Sequence, residues 1–106
     1  MTKLLCKCEH VISDTTDDLP YKGEIVADAD WEAVWGRISE LGAAGIADFT
    51  DKISAIRLEH CRTAYECQSC GRLWVQKSPG SNTFVSYSPD TGELQHALSA
   101  ANPVRA

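Results

Sequence analysis

Two cysteine pairs at opposite ends of the chain constrain its fold more than any other feature. Cys67 and Cys70 form a C-x-x-C motif that Gly71 follows, and Cys6 and Cys8 form a C-x-C motif near the N-terminus. A C-x-x-C turn holds two thiolates at a separation that suits one tetrahedral ion. Two such pairs make the Cys₄ set of a closed structural Zn²⁺ site, so the sequence predicts that one ion joins both ends of a single domain.

The residues around each pair predict how its sulfurs reach the ion. We expect residues 4–12 to form one strand, on which Cys6 and Cys8 point to the same face. Gly71 can take a positive φ, which lets the backbone turn around the second pair. A thiol redox pair of the thioredoxin type should open a helix, whereas residues 72–76 alternate as a strand does, and this disfavours redox chemistry.

Three other residues are spare candidates for the metal site, and the sequence leaves their roles open. His10 lies two residues after Cys8 and could replace a cysteine or support a ligand. Cys61 is more typical of a small buried side chain, and His60 precedes it. Four thiolates can hold zinc or a single iron, and metal availability favours zinc.

Length and composition indicate one small domain in the cytosol. The chain has 106 residues, of which 43% are hydrophobic, so it can build only a thin core. No apolar run approaches the roughly 20 residues that cross a bilayer, and the N-terminus has no signal-peptide stretch. Five cysteines are an odd number for a disulfide framework, which favours a reducing compartment and metal ligation.

Hydrophobic periodicity predicts an α+β fold, in which a small antiparallel sheet with a zinc-ribbon-like pair of Cys₄ knuckles packs against one or two helices. We expect the domain to span residues 1–98, with a frayed tail at 99–106. Strands are predicted at residues 23–27, 72–76 and 83–87, and helices at 29–41 and 46–58, with a short helix from Glu93. In the first helix, Asp30 is the expected N-cap, and Trp31 and Trp35 belong to the expected core stripe.

Acidic residues are concentrated in one segment of the chain. The net charge is −5, and residues 14–32 hold seven acids against one base, Lys22. Such a surface repels phosphate backbones and attracts basic partners, although it also suits a solvated face that keeps a small protein soluble. The candidate partner-binding residues are Asp14, Asp17, Asp18, Asp28 and Glu32, together with Trp74 if its side chain points outward.

No residue pattern indicates an active site. Four thiolates leave no open position on a zinc ion, which a catalytic site requires. The chain has no phosphate-binding glycine loop, no G-x-S-x-G and no H-E-x-x-H motif. We therefore expect a protein that is not an enzyme.

Four segments together resemble a group of small bacterial zinc-ribbon-like proteins. They are Cys6-Lys7-Cys8, Thr16-Asp17-Asp18-Leu19-Pro20-Tyr21-Lys22-Gly23, Asp30-Trp31-Glu32 and Cys67-Gln68-Ser69-Cys70-Gly71-Arg72-Leu73-Trp74. The resemblance covers residues 3–90, but that group has Gly after the first C-x-C, where this chain has Glu9-His10. Related genes often encode immunity proteins beside secreted polymorphic toxins.

The resemblance implies that the chain binds and neutralises one cognate toxin. Many such toxins are basic nucleases, which an acidic surface could attract by mimicking nucleic acid. The alternative is a zinc-ribbon adaptor that binds nucleic acid or a transcription or translation complex. That function favours a basic stripe with aromatic residues, whereas the bases of this chain are few and dispersed. A zinc or thiol sensor is a third hypothesis.

Overall fold

The computed structural model describes residues 2–15, 19–44 and 49–99. Within these residues the fold is α+β, with two antiparallel sheets and two helices, as predicted. The elements are β1 (Thr2–Leu5), β2 (Val11–Asp14), β3 (Lys22–Val26), α1 (Asp28–Ala44), α2 (Phe49–His60), β4 (Cys61–Glu66), β5 (Leu73–Gln76) and β6 (Phe84–Tyr87). Neither helix is long and apolar enough to cross a membrane.

The N-terminal hairpin consists of β1 and β2, which pair from Thr2 opposite Asp14 to Leu5 opposite Val11. The predicted single strand over residues 4–12 is therefore wrong, because a reverse turn interrupts it. In that turn the N–H of Cys6 donates to the carbonyl of His10, and the N–H of Glu9 donates to the carbonyl of Cys6, each at 2.9 Å. The first cysteine pair thus lies at the tip of a hairpin.

The larger sheet has the strand order β3-β4-β5-β6 with every pair antiparallel. Strand β4 follows α2 without a loop and is paired on both sides, by β3 and by β5. Near the C-terminal end of β4, Tyr65 lies opposite Lys22 on one side and Trp74 on the other. The second cysteine pair follows the end of β4, so this sheet fixes its position.

Helix α1 begins earlier than predicted, and this changes the role of Asp30. The helix starts at Asp28, and the N–H of Asp30 donates to the carbonyl of Ala27 at 2.9 Å. Asp30 therefore lies in the first turn and is not the N-cap; its carboxylate contacts His60 of α2 at 3.2 Å. The two helices pack together through their buried sides, to which Val34 and Ile56 belong, and α2 also contacts β4.

Trp31 and Trp35 are not core residues, contrary to the predicted stripe. Their side chains are 48% and 51% exposed, and their rings meet edge to face at 5.6 Å between centroids. The buried side of α1 runs instead through Val34, with Ile38 and Leu41 partly buried. Successive positions three and four residues apart share a helix face. The buried face of α1 is therefore rotated slightly from the predicted one, and both tryptophans lie at its edge.

The C-terminal segment also differs from the prediction. Residues 93–99 contain bends and turns and no helix, with the N–H of Ser99 donating to the carbonyl of His96 at 3.2 Å. A positive φ of 55° at His96 is incompatible with a continuous helix there. Residues 100–106, most of the expected tail, and residues 46–48 of the expected second helix lie outside the described residues.

The main core lies around the cysteines. A cluster of four buried residues, Cys6, Ile12, Tyr65 and Cys67, joins the hairpin to the four-stranded sheet. Partly buried side chains pack against it, namely Leu4, Tyr21, Cys70, Trp74 and Phe84. The two sheets therefore share one hydrophobic cluster, and that cluster includes two of the predicted metal ligands.

Candidate metal centre

The fold brings the four predicted ligands together. The sulfurs of Cys6, Cys8, Cys67 and Cys70 all lie within 4.8 Å of one another. The Sγ atoms of Cys6 and Cys70 are 3.6 Å apart, and those of Cys8 and Cys67 are 3.5 Å apart. A tetrahedral zinc ion with Zn–S bonds of about 2.3 Å requires sulfurs roughly 3.8 Å apart. The arrangement therefore fits a four-coordinate thiolate site.

The first half of the centre depends on the tight turn between β1 and β2. Cys6 is buried and Cys8 is exposed, so the pair spans from the core to the surface. The turn requires a positive φ of 76° at Glu9, a conformation that residues with a Cβ adopt at a cost. Glycine at this position would adopt the same conformation without that strain.

The second half is a turn at the end of β4. The N–H of Gly71 donates to the carbonyl of Cys67, and the N–H of Cys67 donates to the carbonyl of Arg72, each at 2.9 Å. The N–H of Ser69 points to the Cys67 sulfur at 3.4 Å. Gly71 has the predicted positive φ, of 79°, and the Cα of Leu94 lies 2.7 Å from where its Cβ would be.

Hydrogen bonds lower the pKa of the Cys6 thiol. Burial acts to raise its pKa, but donation from the backbone of Cys8 and from the Trp74 side chain lowers it to about 6. The Nε1–H of Trp74 donates to the Cys6 sulfur at 3.4 Å. Burial raises the pKa of Cys67 to about 12 and also raises that of Cys70. These contacts favour the thiolate form of Cys6 and the neutral forms of Cys67 and Cys70.

The three spare candidates are not part of the sulfur cluster among the described residues. His10 is exposed, and the His60 ring contacts the carboxylate of Asp30. Cys61 is half-buried at the start of β4, where burial and the carboxylate of Glu24 raise the pKa of its thiol. These contacts assign His60 to helix packing and make Cys61 a weak nucleophile.

The predicted partner-binding residues lie in different environments. Asp28 and Glu32 are exposed on α1, whereas Asp17 and Asp18 lie outside the described residues. Asp14 is partly buried, 2.8 Å from the Lys22 ammonium, and accepts a 2.6 Å hydrogen bond from the Tyr65 hydroxyl. Trp74 packs on the core cluster and hydrogen-bonds Cys6. Asp14 and Trp74 therefore have internal partners that stabilise the fold.

Sequence reasoning missed the exposed aromatic pair and the contact between Trp74 and Cys6. The i, i+4 spacing of Trp31 and Trp35 is the same for a buried and an exposed face, so periodicity could not separate them. Strand alternation placed Trp74 on one face of β5 but could not show that the hairpin covers that face.

Comparison with protein-family models matches residues 2–91 to a family described as Domain of unknown function (DUF8617). No curated protein and no solved structure matches the chain.

Proposed function

Since the chain belongs to this family of domains of unknown function, we propose a function from its own residues: a non-enzymatic protein-binding domain built on one structural zinc ion. The observation that carries this proposal is the convergence of four sulfurs within 4.8 Å. Four thiolates saturate tetrahedral zinc and leave no position for a substrate or a reactive water. The ion then stabilises the fold, and recognition falls to the surface.

The metal assignment is tested by elemental analysis of the full chain purified without added metal. We expect one zinc per chain, and we expect Cys67→Ser to lose it. An exposed-residue control, Ser39→Ala on α1, should retain full occupancy. A stoichiometric iron content with thiolate-to-iron absorption would contradict zinc, and a metal-free folded protein would contradict the structural role altogether.

The surface that best fits a protein partner is the exposed tryptophan face of α1. Trp31 and Trp35 present two large aromatic rings, and exposed carboxylates of Asp28 and Glu32 lie on the adjoining side of the same helix. Tryptophan dominates the energetics of protein interfaces, and carboxylates favour association with a basic surface. The partner is therefore a protein with a basic rim around an apolar pocket.

We infer that this partner is a secreted bacterial toxin domain that the chain neutralises in the cytoplasm, as an immunity protein. Three observations support the inference: the resemblance carried by the cysteine and Asp30-Trp31-Glu32 segments, the net charge of −5, and the exposed acidic and aromatic face of α1. A basic nuclease would meet such a face with complementary charge.

Co-expression with a toxin encoded beside the gene tests this role. The wild-type chain should protect cells and form a stable complex on gel filtration. The double variant Trp31→Ala, Trp35→Ala should lose protection while keeping its melting temperature, because both side chains are exposed. Val34 is adjacent to Trp35 but buried. Val34→Ala should therefore lower the melting temperature and retain binding in the folded protein.

Absence of protection together with absence of a complex would contradict the immunity role. Tight, salt-sensitive binding to DNA or RNA would instead favour the adaptor function, because phosphate contacts release counterions and weaken with salt.

A further inference from the structure

The four sulfurs of the candidate metal centre differ in how far solvent reaches them. Cys8 is exposed, whereas Cys6 and Cys67 are buried. Cys70 is partly buried. Oxidation of thiolates follows their accessibility, so a small dissolved oxidant meets Cys8 before the other three. The structural role proposed above makes no use of this difference.

Two close contacts between sulfurs join one cysteine pair to the other. The Sγ atoms of Cys8 and Cys67 are 3.5 Å apart, and those of Cys6 and Cys70 are 3.6 Å apart. A disulfide has an S–S distance of about 2.05 Å, so each contact is roughly 1.5 Å from bonding distance. A disulfide at either contact would join the hairpin tip to the turn after β4, which are the two segments that the ion would join.

We propose that Cys8 is a site of reversible oxidation by hydroperoxides, and that Cys67 captures the oxidised Cys8 as a disulfide that replaces the ion as the link between hairpin and sheet. Cys67 suits the second role because its sulfur lies beside that of Cys8, while its 0% exposure keeps the peroxide from reaching it directly. The inference rests on the structural zinc proposed above and does not depend on the protein partner.

The reaction balances with a hydroperoxide as the only oxidant. With hydrogen peroxide, the Cys8 thiolate attacks one peroxide oxygen, an S–O bond forms, the O–O bond breaks, and the released hydroxide takes a proton from solvent. The Cys67 thiolate then attacks the Cys8 sulfur, an S–S bond forms, and a second hydroxide leaves and is protonated. The two sulfurs together lose two electrons, which reduce one peroxide to two waters.

The first disulfide removes half of the ligands of the ion. Zinc binds thiolates, and neither sulfur of a disulfide is one, so only Cys6 and Cys70 would remain as ligands. A second peroxide can join those two sulfurs by the same chemistry across their 3.6 Å contact. Complete oxidation therefore releases one zinc ion for two peroxides consumed.

Peroxide titration of the zinc-loaded chain tests the proposal. The variant Cys61→Ser is used throughout, because Cys61 lies outside the sulfur cluster and its removal leaves only the four candidate ligands. After the zinc content is measured, hydrogen peroxide should release one zinc per two equivalents, detected with a chromophoric chelator. Dithiothreitol should then restore the thiols and zinc binding. A zinc-loaded chain that keeps its metal under this treatment would refute the proposal.

Peptide mapping without reduction identifies the disulfides. Trypsin cleaves after Lys7, so Cys6 and Cys8 fall on separate peptides. We expect the bond between Cys8 and Cys67 to appear first and the bond between Cys6 and Cys70 to follow. Disulfides formed within each motif, which would leave the hairpin unlinked to the sheet, would overturn the proposal.

Two histidine substitutions show which thiol reacts first. Cys8→His and Cys70→His each leave three cysteines and one histidine, a set that structural zinc also accepts. Cys8→His should react with peroxide roughly tenfold more slowly or less, whereas Cys70→His should react at the wild-type rate and form the bond between Cys8 and Cys67. Equal rates in the two variants would contradict the assignment to Cys8.

Dimedone labelling gives the same information if either histidine variant fails to bind zinc. A brief peroxide pulse followed by dimedone, which traps sulfenic acids, should label Cys8 in the zinc-loaded chain. Labelling of another cysteine in its place would refute Cys8 as the first site of oxidation.

Hydrogen exchange distinguishes replacement of the ion from its simple loss. The oxidised, zinc-free chain should keep the protection of amides in β1 and β2, whereas the reduced chain treated with a chelator should lose it. Loss of protection in both would contradict the replacement. A chain purified without zinc would contradict the proposed metal, and its disulfide map under peroxide would still decide the pairing.

Discussion

Glu9 adopts a left-handed backbone conformation in the turn that carries Cys6 and Cys8, with φ at 76°. This conformation costs a residue with a Cβ about 1–2 kcal/mol. Glycine would avoid that cost, but part of the gain in stability would be lost because glycine makes the unfolded chain more flexible. We therefore expect Glu9→Gly to raise the free energy of unfolding by roughly 0.5–1 kcal/mol. Denaturant unfolding of the zinc-loaded protein measures this.

Lys7→Gly is the matched control, because Lys7 is exposed in the same turn and has no positive φ. It should lower stability slightly. Equal effects of the two substitutions would mean that backbone strain at Glu9 is not the cause.

Substitutions at Gly71 and Gly92 can distinguish the cost of an unfavourable backbone conformation from the cost of a close contact. Both have a positive φ, of 79° and 73°, but a Cβ on Gly71 would lie 2.7 Å from the Leu94 Cα, while a Cβ on Gly92 would meet nothing within 4 Å. Gly92→Ala should cost about 1–2 kcal/mol, and Gly71→Ala should cost more and weaken zinc binding. Thermal unfolding and zinc titration of both variants provide the comparison. Equal losses of stability and of zinc affinity in the two variants would mean that the contact with Leu94 is not the cause.

Trp74 contacts the candidate metal centre through its ring N–H, which donates to the Cys6 sulfur. Replacing it with Phe keeps most of the apolar packing and removes the donor to Cys6, so the thiolate loses a stabilising hydrogen bond. We expect Trp74→Phe to weaken zinc affinity by about tenfold or more, measured by competition with a chromophoric chelator. Trp35→Phe, on the exposed face of α1, should leave the affinity unchanged, and an unchanged affinity for both would contradict this role.

The convergence of the four cysteines could be predicted from sequence, because each pair is recognised by its local spacing. The contact between Trp74 and Cys6 could not, because it depends on which distant segment covers that face of β5. Glu9 is an intermediate case. The sequence shows that this position is not glycine, but only the structure of the turn shows that it has a positive φ.

At the scale of elements, Asp14 links the small sheet to the large one. Burial acts to raise its pKa, but the hydrogen bond and charge of Lys22 and the hydrogen bond from Tyr65 lower it below its ordinary value. A carboxyl whose pKa is lower in the folded state stabilises the fold above its unfolded pKa of about 4. That contribution is lost as the pH falls through the lower, folded value.

We therefore expect Asp14→Asn to destabilise the protein at pH about 7 by roughly 1–2 kcal/mol, with the difference from wild type shrinking below pH about 4. Urea unfolding of both proteins across this pH range measures the difference in their free energies of unfolding. Any acid-induced loss of metal that the two proteins share cancels in that difference. Asp90→Asn, at an exposed turn, should show no such dependence. A difference that does not change with pH would argue against the carboxylate.

Element types could be read from periodicity, whereas element faces and ends could not. The hydrophobic pattern of α1 predicted the helix but wrongly placed Trp31 and Trp35 in the core. Packing against α2 decides which side of the helix is buried, and hydrophobicity alone does not show that side. The strand predicted over residues 4–12 failed because hydrogen bonds of the Cys6 backbone close a turn within it.

At the scale of the whole molecule, the candidate metal centre lies where the two sheets meet, beside the hydrophobic cluster and the Asp14 contacts that also join them. A two-stranded hairpin alone is at best marginally stable, and structural zinc contributes about 10–16 kcal/mol, comparable with the total stability of a domain. On removing the metal with a chelator, we expect amides of β1 and β2 to lose hydrogen-exchange protection before those of β4. Simultaneous loss in all strands would instead indicate that the ion supports the larger sheet equally.

The separation of the two knuckles also affects how the protein is made. Cys8 and Cys67 are 59 positions apart, and ribosomes add about 5–20 residues per second, so the first thiol pair leaves the exit tunnel roughly 3–12 seconds before the second. During that interval the nascent chain carries a half-built chelate that is open to oxidants and to competing metals. An ion that needs all four sulfurs can therefore be bound only after Cys70 has emerged.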